Sequence, residues 1–196
     1  ALFTEYIEVS EEELKKVSFL QHPQEVVALF YFFLNPLEPH PETQLTLALD
    51  GVQDPGNLGT IIRIADWFGI ESIVCSEDTA DLYNPKVVQA TMGSIARVSL
   101  TYTDLERYVA ELSTDIPVYG TFLNGKNLYT QQLTSNGLLI MGNEGNGISE
   151  KVSKRITHRL LIPNYPQGRQ TTDSLNVAIA TAIICSEFRR YEIGNQ

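Results

Sequence analysis

The chain has 196 residues, 43% of them hydrophobic and 9% aromatic, which suits one substantial core with a small appendage and excludes a disordered polymer. Its formal charge is −10, from 24 acidic and 14 basic residues, which excludes a protein that simply coats nucleic acid. Cys75 and Cys185 lack metal-ligand spacing and histidine neighbours, so neither a zinc site nor a disulfide framework is signalled. Both are expected to be buried free thiols in a reducing cytoplasm. No metal site is expected anywhere in the chain.

In chain order, Val9 to Leu14 reads as a capped short helix with acids in its first turn. The longest apolar run, Val26–Leu34, falls short of the ~18 residues a membrane span needs, and Val26–Phe33 is expected to be a strand. No basic region precedes an apolar stretch, so no signal peptide is visible. The chain opens at Ala1 inside patterned sequence, and residues 1–34 are too few to fold alone. They are expected to be the tail of a truncated domain. Asn35 to Pro41 holds three prolines and reads as a linker, placed at 35–43.

Residues 44–196 then alternate strand and helix. Strands are expected at Leu45–Leu49, Ser72–Cys75, Ala96–Leu100, Val118–Phe122, Leu138–Met141 and Leu160–Ile162. Helices are expected at Thr60–Phe68, ended by Gly69, and at Asn84–Met92, opened by Asn84-Pro85. Three more are expected at Thr103–Leu112, capped by Thr103, near Ser149–Ile156, and at Ser174–Tyr191. This alternation means an α/β protein with a mostly parallel, helix-covered sheet, and by itself points to a doubly wound open sheet.

Three polar clusters follow apolar strands. Asp54-Pro55-Gly56-Asn57-Leu58-Gly59 is turn chemistry leading into a helix that carries Arg63. An arginine there suits phosphate, because its planar fork donates two hydrogen bonds at once. A capped helix with a surface arginine explains that segment equally simply. Gly142 to Gly147 alternates glycine with Asn and Glu, and glycine permits close approach of a ligand to the backbone. Its spacing is neither a dinucleotide fingerprint nor a phosphate-binding loop. Ser174-Leu175-Asn176 opens the last helix, where Ser174 or Asp173 could serve as a simple N-cap. In an open α/β sheet, ligand sites gather beyond the carboxyl ends of strands, so the three clusters read as one site.

From Glu150 onward seven basic residues face four acidic ones, against seven and twenty in the rest of the chain. A locally basic site on an acidic protein fits this asymmetry, as do solvated helix faces.

The stretches DPGNLGTIIRIADWFGI, LLIMGNEGNGIS and LLIP…SLNVAIATAI resemble, in order and spacing, the three motifs of the SpoU/TrmH family of RNA ribose 2′-O-methyltransferases. The likeness runs from about Leu45 to Arg190. It implies a trefoil-knotted α/β fold of the SPOUT kind with helices on both faces, a homodimer, and S-adenosylmethionine as cofactor. Residues 1–34 resemble the end of the small α/β substrate-binding domain that often precedes it. The likeness carries Asn57 and Arg63 as the first motif, Gly142, Glu144, Gly145 and Gly147 as the second, and Ser174, Leu175 and Asn176 as the third. Catalytic work falls to Arg63, Asn57, Glu144, Ser174 and Asn176. Cofactor contacts fall to Thr121, Gly142, Gly145, Gly147, Ile162 and Leu175. The family usually has IPM and a short loop before SLN, whereas here Asn164 follows Pro163 and the loop to Ser174 is longer.

The implied activity is methyl transfer to a ribose 2′-hydroxyl of structured RNA, either tRNA or rRNA. No histidine lies in any cluster, and a guanidinium stays protonated at neutral pH. Arg63 is therefore expected to hold the neighbouring phosphate and the developing alkoxide, while Glu144, Ser174 and Asn176 position the loop and the nucleotide. A non-catalytic RNA- or cofactor-binding protein of the same fold is the alternative. A nicotinamide oxidoreductase is disfavoured by the glycine spacing.

Overall fold

The computed structural model describes residues 5–18, 25–32, 37–166, 169–170, 172 and 174–194. The chain divides into two units, Ala1–Asn35 and Pro36–Gln196.

In the first unit, α1 (Glu11–Val17) opens at Ser10. The Ser10 hydroxyl accepts from the Glu13 amide, and the Glu13 carboxylate accepts from the Ser10 amide at 2.8 Å. Each group thereby satisfies a donor the helix end leaves over. The expected strand over Val26–Phe33 is not formed: residues 25–32 carry no strand, and Phe33 lies outside the described residues. Leu29, Phe30 and Tyr31 are exposed. An apolar run becomes a strand only where a neighbour takes its backbone groups, and no such neighbour is among the described residues.

The second unit is built on six parallel strands in the order β3-β2-β1-β5-β4-β6. They are β1 (Leu45–Asp50), β2 (Ser72–Ser76), β3 (Ser99–Thr103), β4 (Val118–Asn127), β5 (Gly137–Gly142) and β6 (His158–Leu161). β3 starts later than expected, because Ser94–Ala96 forms a 3₁₀ turn first. β4 runs well past Phe122, with a register shift against β6 between Thr121 and Lys126.

Leu45, Leu47 and Leu49 face one side of the sheet, where α2 (Pro55–Trp67) and α6 (Val177–Gly194) cover them. Thr46 and Ala48 alternate to the other side. There Ala48, Val74, Leu138 and Ile140 pack under α4 (Leu105–Glu111) and α5 (Glu150–Ser153). Helices therefore lie on both faces.

Several helix ends differ from expectation. α2 begins at Pro55, five residues early, because the Asp54 carboxylate accepts from the Asn57 amide at 2.7 Å. Gly69, in the left-handed region at φ +62°, follows its end as expected. α3 (Pro85–Thr91) opens at Asn84 with Pro85 in its first turn. The cap of α4 is Asp104, not Thr103, since a carboxylate at that position reaches the Arg107 amide. α5 is shorter than expected, and α6 starts at Val177 rather than Ser174.

Cys75 and Cys185 are free and buried. Burial pushes both thiols up, Cys185 to about 12. No helix among the described residues is long and apolar enough to cross a membrane. No group of His, Cys, Asp and Glu among them is arranged to hold a metal ion.

Candidate active site

The chain runs outward from β1 to β3, then returns to build β5, β4 and β6 on the other side of β1. A parallel sheet whose strand order reverses in this way opens a crevice beyond the carboxyl ends of the two strands at the reversal. Here those strands are β1 and β5, which end opposite one another with Asp50 paired to Gly142. The first and second motifs leave the sheet at that point.

Cross-links between the two strand ends hold the crevice. Gly51, at φ +71°, turns the chain out of β1. Its amide donates to Ser76 Oγ at 2.8 Å, and its carbonyl accepts from Asn143 Nδ2 at 2.7 Å. The Asp50 carboxylate accepts from the Ser149 amide at 2.7 Å, tying the far side of the second motif to β1.

Residues 143–147 close on themselves. Asn143 and Gly147 exchange backbone hydrogen bonds at 2.9 and 3.0 Å, and Asn143 Oδ1 accepts from the amides of Gly145 and Asn146. A Cβ on Gly142 would stand 2.2 Å from the Gly147 carbonyl carbon and 2.3 Å from the Ile148 nitrogen. The loop's own backbone therefore fills the space beside Gly142, where the sequence suggested close approach of a ligand. Gly147 is needed for its backbone angle, φ +69°. The amides of Gly145, Asn146 and Gly147 are all taken within the loop, so it offers a ligand its rim and the Glu144 side chain rather than those donors.

From this rim one hydrogen-bonded chain joins all three motifs. Asn57 Nδ2 donates to Glu144 Oε1 at 2.8 Å, and Asn176 Nδ2 donates to Asn57 Oδ1 at 2.9 Å. Asn176 Oδ1 in turn accepts from the amides of Ala178 and Ile179 at 3.0 and 3.2 Å. Asn176 is thus the cap of α6, which explains a poor helix former at that position. Each amide side chain donates with one end and accepts with the other. The chain runs from the amino end of α6 to the Glu144 carboxylate.

Arg63 lies on α2 beyond Asn57, exposed, with no hydrogen-bond or ion-pair partner among the described residues. Arg97, Arg107 and Arg190 are by contrast held by carboxylates, Arg97 on Asp66 at 2.6 Å. Ser174 is exposed and likewise makes no hydrogen bond with a described residue, and its neighbour Asp173 lies outside them. Leu175 is exposed.

Of the remaining predicted residues, Gly142 and Ile162 lie at strand ends and Thr121 lies within β4, just before its register shift. Thr121 sits opposite Leu160 in the β4–β6 pairing, Gly142 ends β5, and Ile162 follows the last residue of β6. Thr121 and Ile162 are half-buried. In the long loop, Asn164 Nδ2 donates to the Arg169 carbonyl at 3.0 Å. The structure thus links Asn57, Glu144 and Asn176 directly and sets Thr121, Gly142 and Ile162 on neighbouring strands. Asp54, Asp50, Gly51 and Asn143 complete the scaffold. The Asp54 turn was visible in the sequence, but nothing local marked the reach of Asn143 to Gly51.

Fold and site together define a parallel α/β protein with a polar site assembled at the reversal of its strand order. The model of the SpoU rRNA Methylase family matches residues 44–186, and the chain belongs to that family. It is 35% identical over 183 residues to the 23S rRNA (guanosine(2553)-2'-O)-methyltransferase RlmP of Bacillus subtilis, covering 92% of this chain and 71% of that protein. A putative RNA methyltransferase of the TrmH family from Porphyromonas gingivalis superposes with a TM-score of 0.79 at 43% identity, covering 94% of this chain and 74% of that one. An AdoMet-bound rRNA methyltransferase from Sinorhizobium meliloti gives a TM-score of 0.71 at 35% identity, covering 78% of this chain and 59% of that one.

Proposed function

We propose that the chain transfers a methyl group from S-adenosylmethionine to a ribose 2′-hydroxyl of structured RNA. The observation that carries this reading is the Glu144–Asn57–Asn176 chain at the β1–β5 crevice, with the unpartnered guanidinium of Arg63 on the same helix. Relatives named as 23S rRNA guanosine methyltransferases favour rRNA over tRNA as the target.

Three neighbouring strand positions suit the cofactor. Thr121, Gly142 and Ile162 carry no charge and are half-buried or buried, as an adenosine group requires, and no basic side chain among them opposes a sulfonium. Leu175 would close the far side. When bound, S-adenosylmethionine supplies an activated methyl on a cationic sulfur. The protein's own contribution is alignment and charge. Asn57, Glu144 and Asn176 hold the first-motif helix, the second-motif loop and the α6 cap in one geometry, so the bound groups meet without further ordering. Arg63 holds the phosphate next to the target ribose and stabilises the negative charge that develops on the 2′-oxygen as its proton passes to solvent water. Ser174 positions the nucleotide at the rim.

The same reading includes a trefoil knot in the chain path, a cytoplasmic homodimer, and residues 1–34 as the end of a substrate-binding domain joined through 35–43 to a methyltransferase domain at 44–196. Dimerisation is supported by apolar side chains left exposed on the two helices nearest the first and third motifs, Trp67 on α2 at 85% and Ile179 on α6 at 54%. The test has two parts. Calorimetry with S-adenosylhomocysteine should show binding without metal or nicotinamide. Incubation with labelled S-adenosylmethionine and rRNA, read by nucleoside mass spectrometry, should place the label on a ribose 2′-oxygen. Absence of cofactor binding ends the proposal.

A further inference from the structure

The second strand reaches the site although none of the three motifs includes it. After β2 the chain turns through Ser76 to Thr79, and this turn grips the one that leaves β1. Ser76 Oγ accepts from the Gly51 amide at 2.8 Å, and lies 2.6 Å from Asp78 Oδ1 and 3.1 Å from Thr79 Oγ1. Thr79 Oγ1 reaches the Leu49 carbonyl at 3.3 Å, and the Ala80 amide donates to the Val52 carbonyl at 2.9 Å. Ser76 and Thr79 are buried, while Asp78 is exposed.

What each group can donate fixes the direction of these bonds. An ionised carboxylate only accepts, so the Ser76 proton points at Asp78. Whether Thr79 turns its own proton to Leu49 or to Ser76, Ser76 keeps a lone pair for the Gly51 amide. The Gly51 carbonyl also only accepts, so Asn143 must offer it Nδ2. Asn143 Oδ1 then faces the loop, where it takes the amides of Gly145 and Asn146. The reverse orientation would set oxygen against oxygen at Gly51 and an NH2 group against two N–H groups.

Donor by donor, the path runs from the loop that carries Glu144, through Asn143, Gly51 and Ser76, to Asp78. Glu144 sits between the two ends of that loop and meets Asn57. Space enforces the same arrangement. A Cβ on Gly51 would stand 3.1 Å from Asp78 Oδ2 and 3.7 Å from the Asn143 Cβ, so the β1 turn is clasped between the two side chains.

We propose that Ser76 and Asp78 are positioning residues of the methyl-transfer site. By fixing Gly51 they set the orientation of Asn143, and through it the placement of Glu144. They act through backbone and not on substrate. This rests on the methyltransferase reading above.

The test is single-turnover methyl transfer by the whole protein, with saturating S-adenosylmethionine and a 23S rRNA transcript, well below the melting temperature. Ser76→Ala removes the acceptor for Gly51, and Asp78→Ala releases the Ser76 proton. Each should slow the step roughly 3–30-fold, while S-adenosylhomocysteine and RNA affinities stay within about twofold. Asp78→Asn keeps an oxygen for the hydroxyl proton and should recover to within about threefold of the parent. Glu77→Gln, the neighbouring exposed acid, should stay within about twofold of the parent. In an Asn143→Ala background, Ser76→Ala should slow transfer by less than about twofold further, because the path is already cut. If Ser76→Ala does not fold, the two exposed Asp78 variants carry the same test. Folded Ser76→Ala and Asp78→Ala proteins that react at the parent rate overturn this inference alone. So does Asp78→Asn no faster than Asp78→Ala, or the full Ser76→Ala loss repeated without Asn143. A parent protein that fails to bind S-adenosylhomocysteine overturns the reading of the site and this inference with it.

Discussion

Two groups of strand ends in this sheet carry polar side chains, and they use them in opposite ways. Where β1 meets β5, the side chains of Asn57, Asn143, Glu144 and Asn176 are bound to one another or to backbone, and Arg63 stands without a partner. Where β1, β2 and β3 end together, a cleft of about 320 Å³ opens, lined by Asp50, Glu77, Asp78, Asp104 and Glu106 with Lys151. None of the predicted site residues lines it. A cluster of carboxylates repels a phosphate, and open volume does nothing to orient one. The cross-linked end carries the prearranged charge that the proposed methyl transfer to RNA calls for, and the acidic cleft does not.

The comparison can be broken most sharply at Gly142. Gly142→Val forces a side chain into the backbone of Gly147 and Ile148. It should cost about 3 kcal/mol or more, so thermal melting and S-adenosylmethionine affinity fall together. Loss of cofactor binding with an unchanged melting temperature would mean the residue faces the ligand instead. Arg63→Ala should leave stability and cofactor affinity nearly intact while single-turnover methyl transfer drops roughly 10²–10³-fold. Arg63→Lys should recover little, for want of the bidentate fork.

A smaller effect is expected at the latch. Asn143→Asp keeps the acceptor for Gly145 and Asn146 but loses donation to the Gly51 carbonyl. Denaturant melts should show a loss of about 1–3 kcal/mol, with turnover reduced because Glu144 is less well held. Asp66 tests the helix outside the site. Arg97 and Ser94 hydrogen bonds hold its carboxyl down at about 2, from an ordinary 3.8. A lowered folded value means the contribution is complete above about pH 4 and disappears as pH falls through 2. Asp66→Asn should therefore cost about 1 kcal/mol near neutral pH and almost nothing at pH 2, Arg97 being largely exposed. The smallest change belongs to the open cleft: Glu77→Gln should leave the melting temperature essentially unchanged and turnover within about twofold of the parent. A large fall in turnover there would reverse the ranking of the two ends.

Much of this was legible in the sequence because it depends on short-range physics. Apolar runs located all six strands of the second unit to within a few residues, except that β3 lies after a 3₁₀ turn and β4 runs on to Asn127. Asn84-Pro85 and Gly69 marked helix ends by local cap chemistry and backbone preference. The same rules failed where two neighbours compete for one role. Thr103 and Asp104 are both capping residues, and only the fold selects Asp104. The cap of the last helix was expected at Ser174 or Asp173, and the fold gives it to Asn176, whose Oδ1 accepts from Ala178 and Ile179 while its Nδ2 reaches Asn57. Val26–Phe33 has strand composition, yet residues 25–32 form none, because a ladder requires a partner that composition does not supply.

By itself, then, the sequence determined the α/β alternation, the three motif segments and the residue types they bring, since periodicity and motif spacing are local properties. The tertiary structure alone decided that Asn57 meets Glu144 across 87 positions and Asn176 across 119. It also decided that Asn143 clamps Gly51 and that Gly142 is a glycine for the loop's own closure. Those contacts depend on which strand lies beside which. Nothing local records that β5 pairs with β1, because the order of a parallel sheet is set by how both helical layers cover its faces at once.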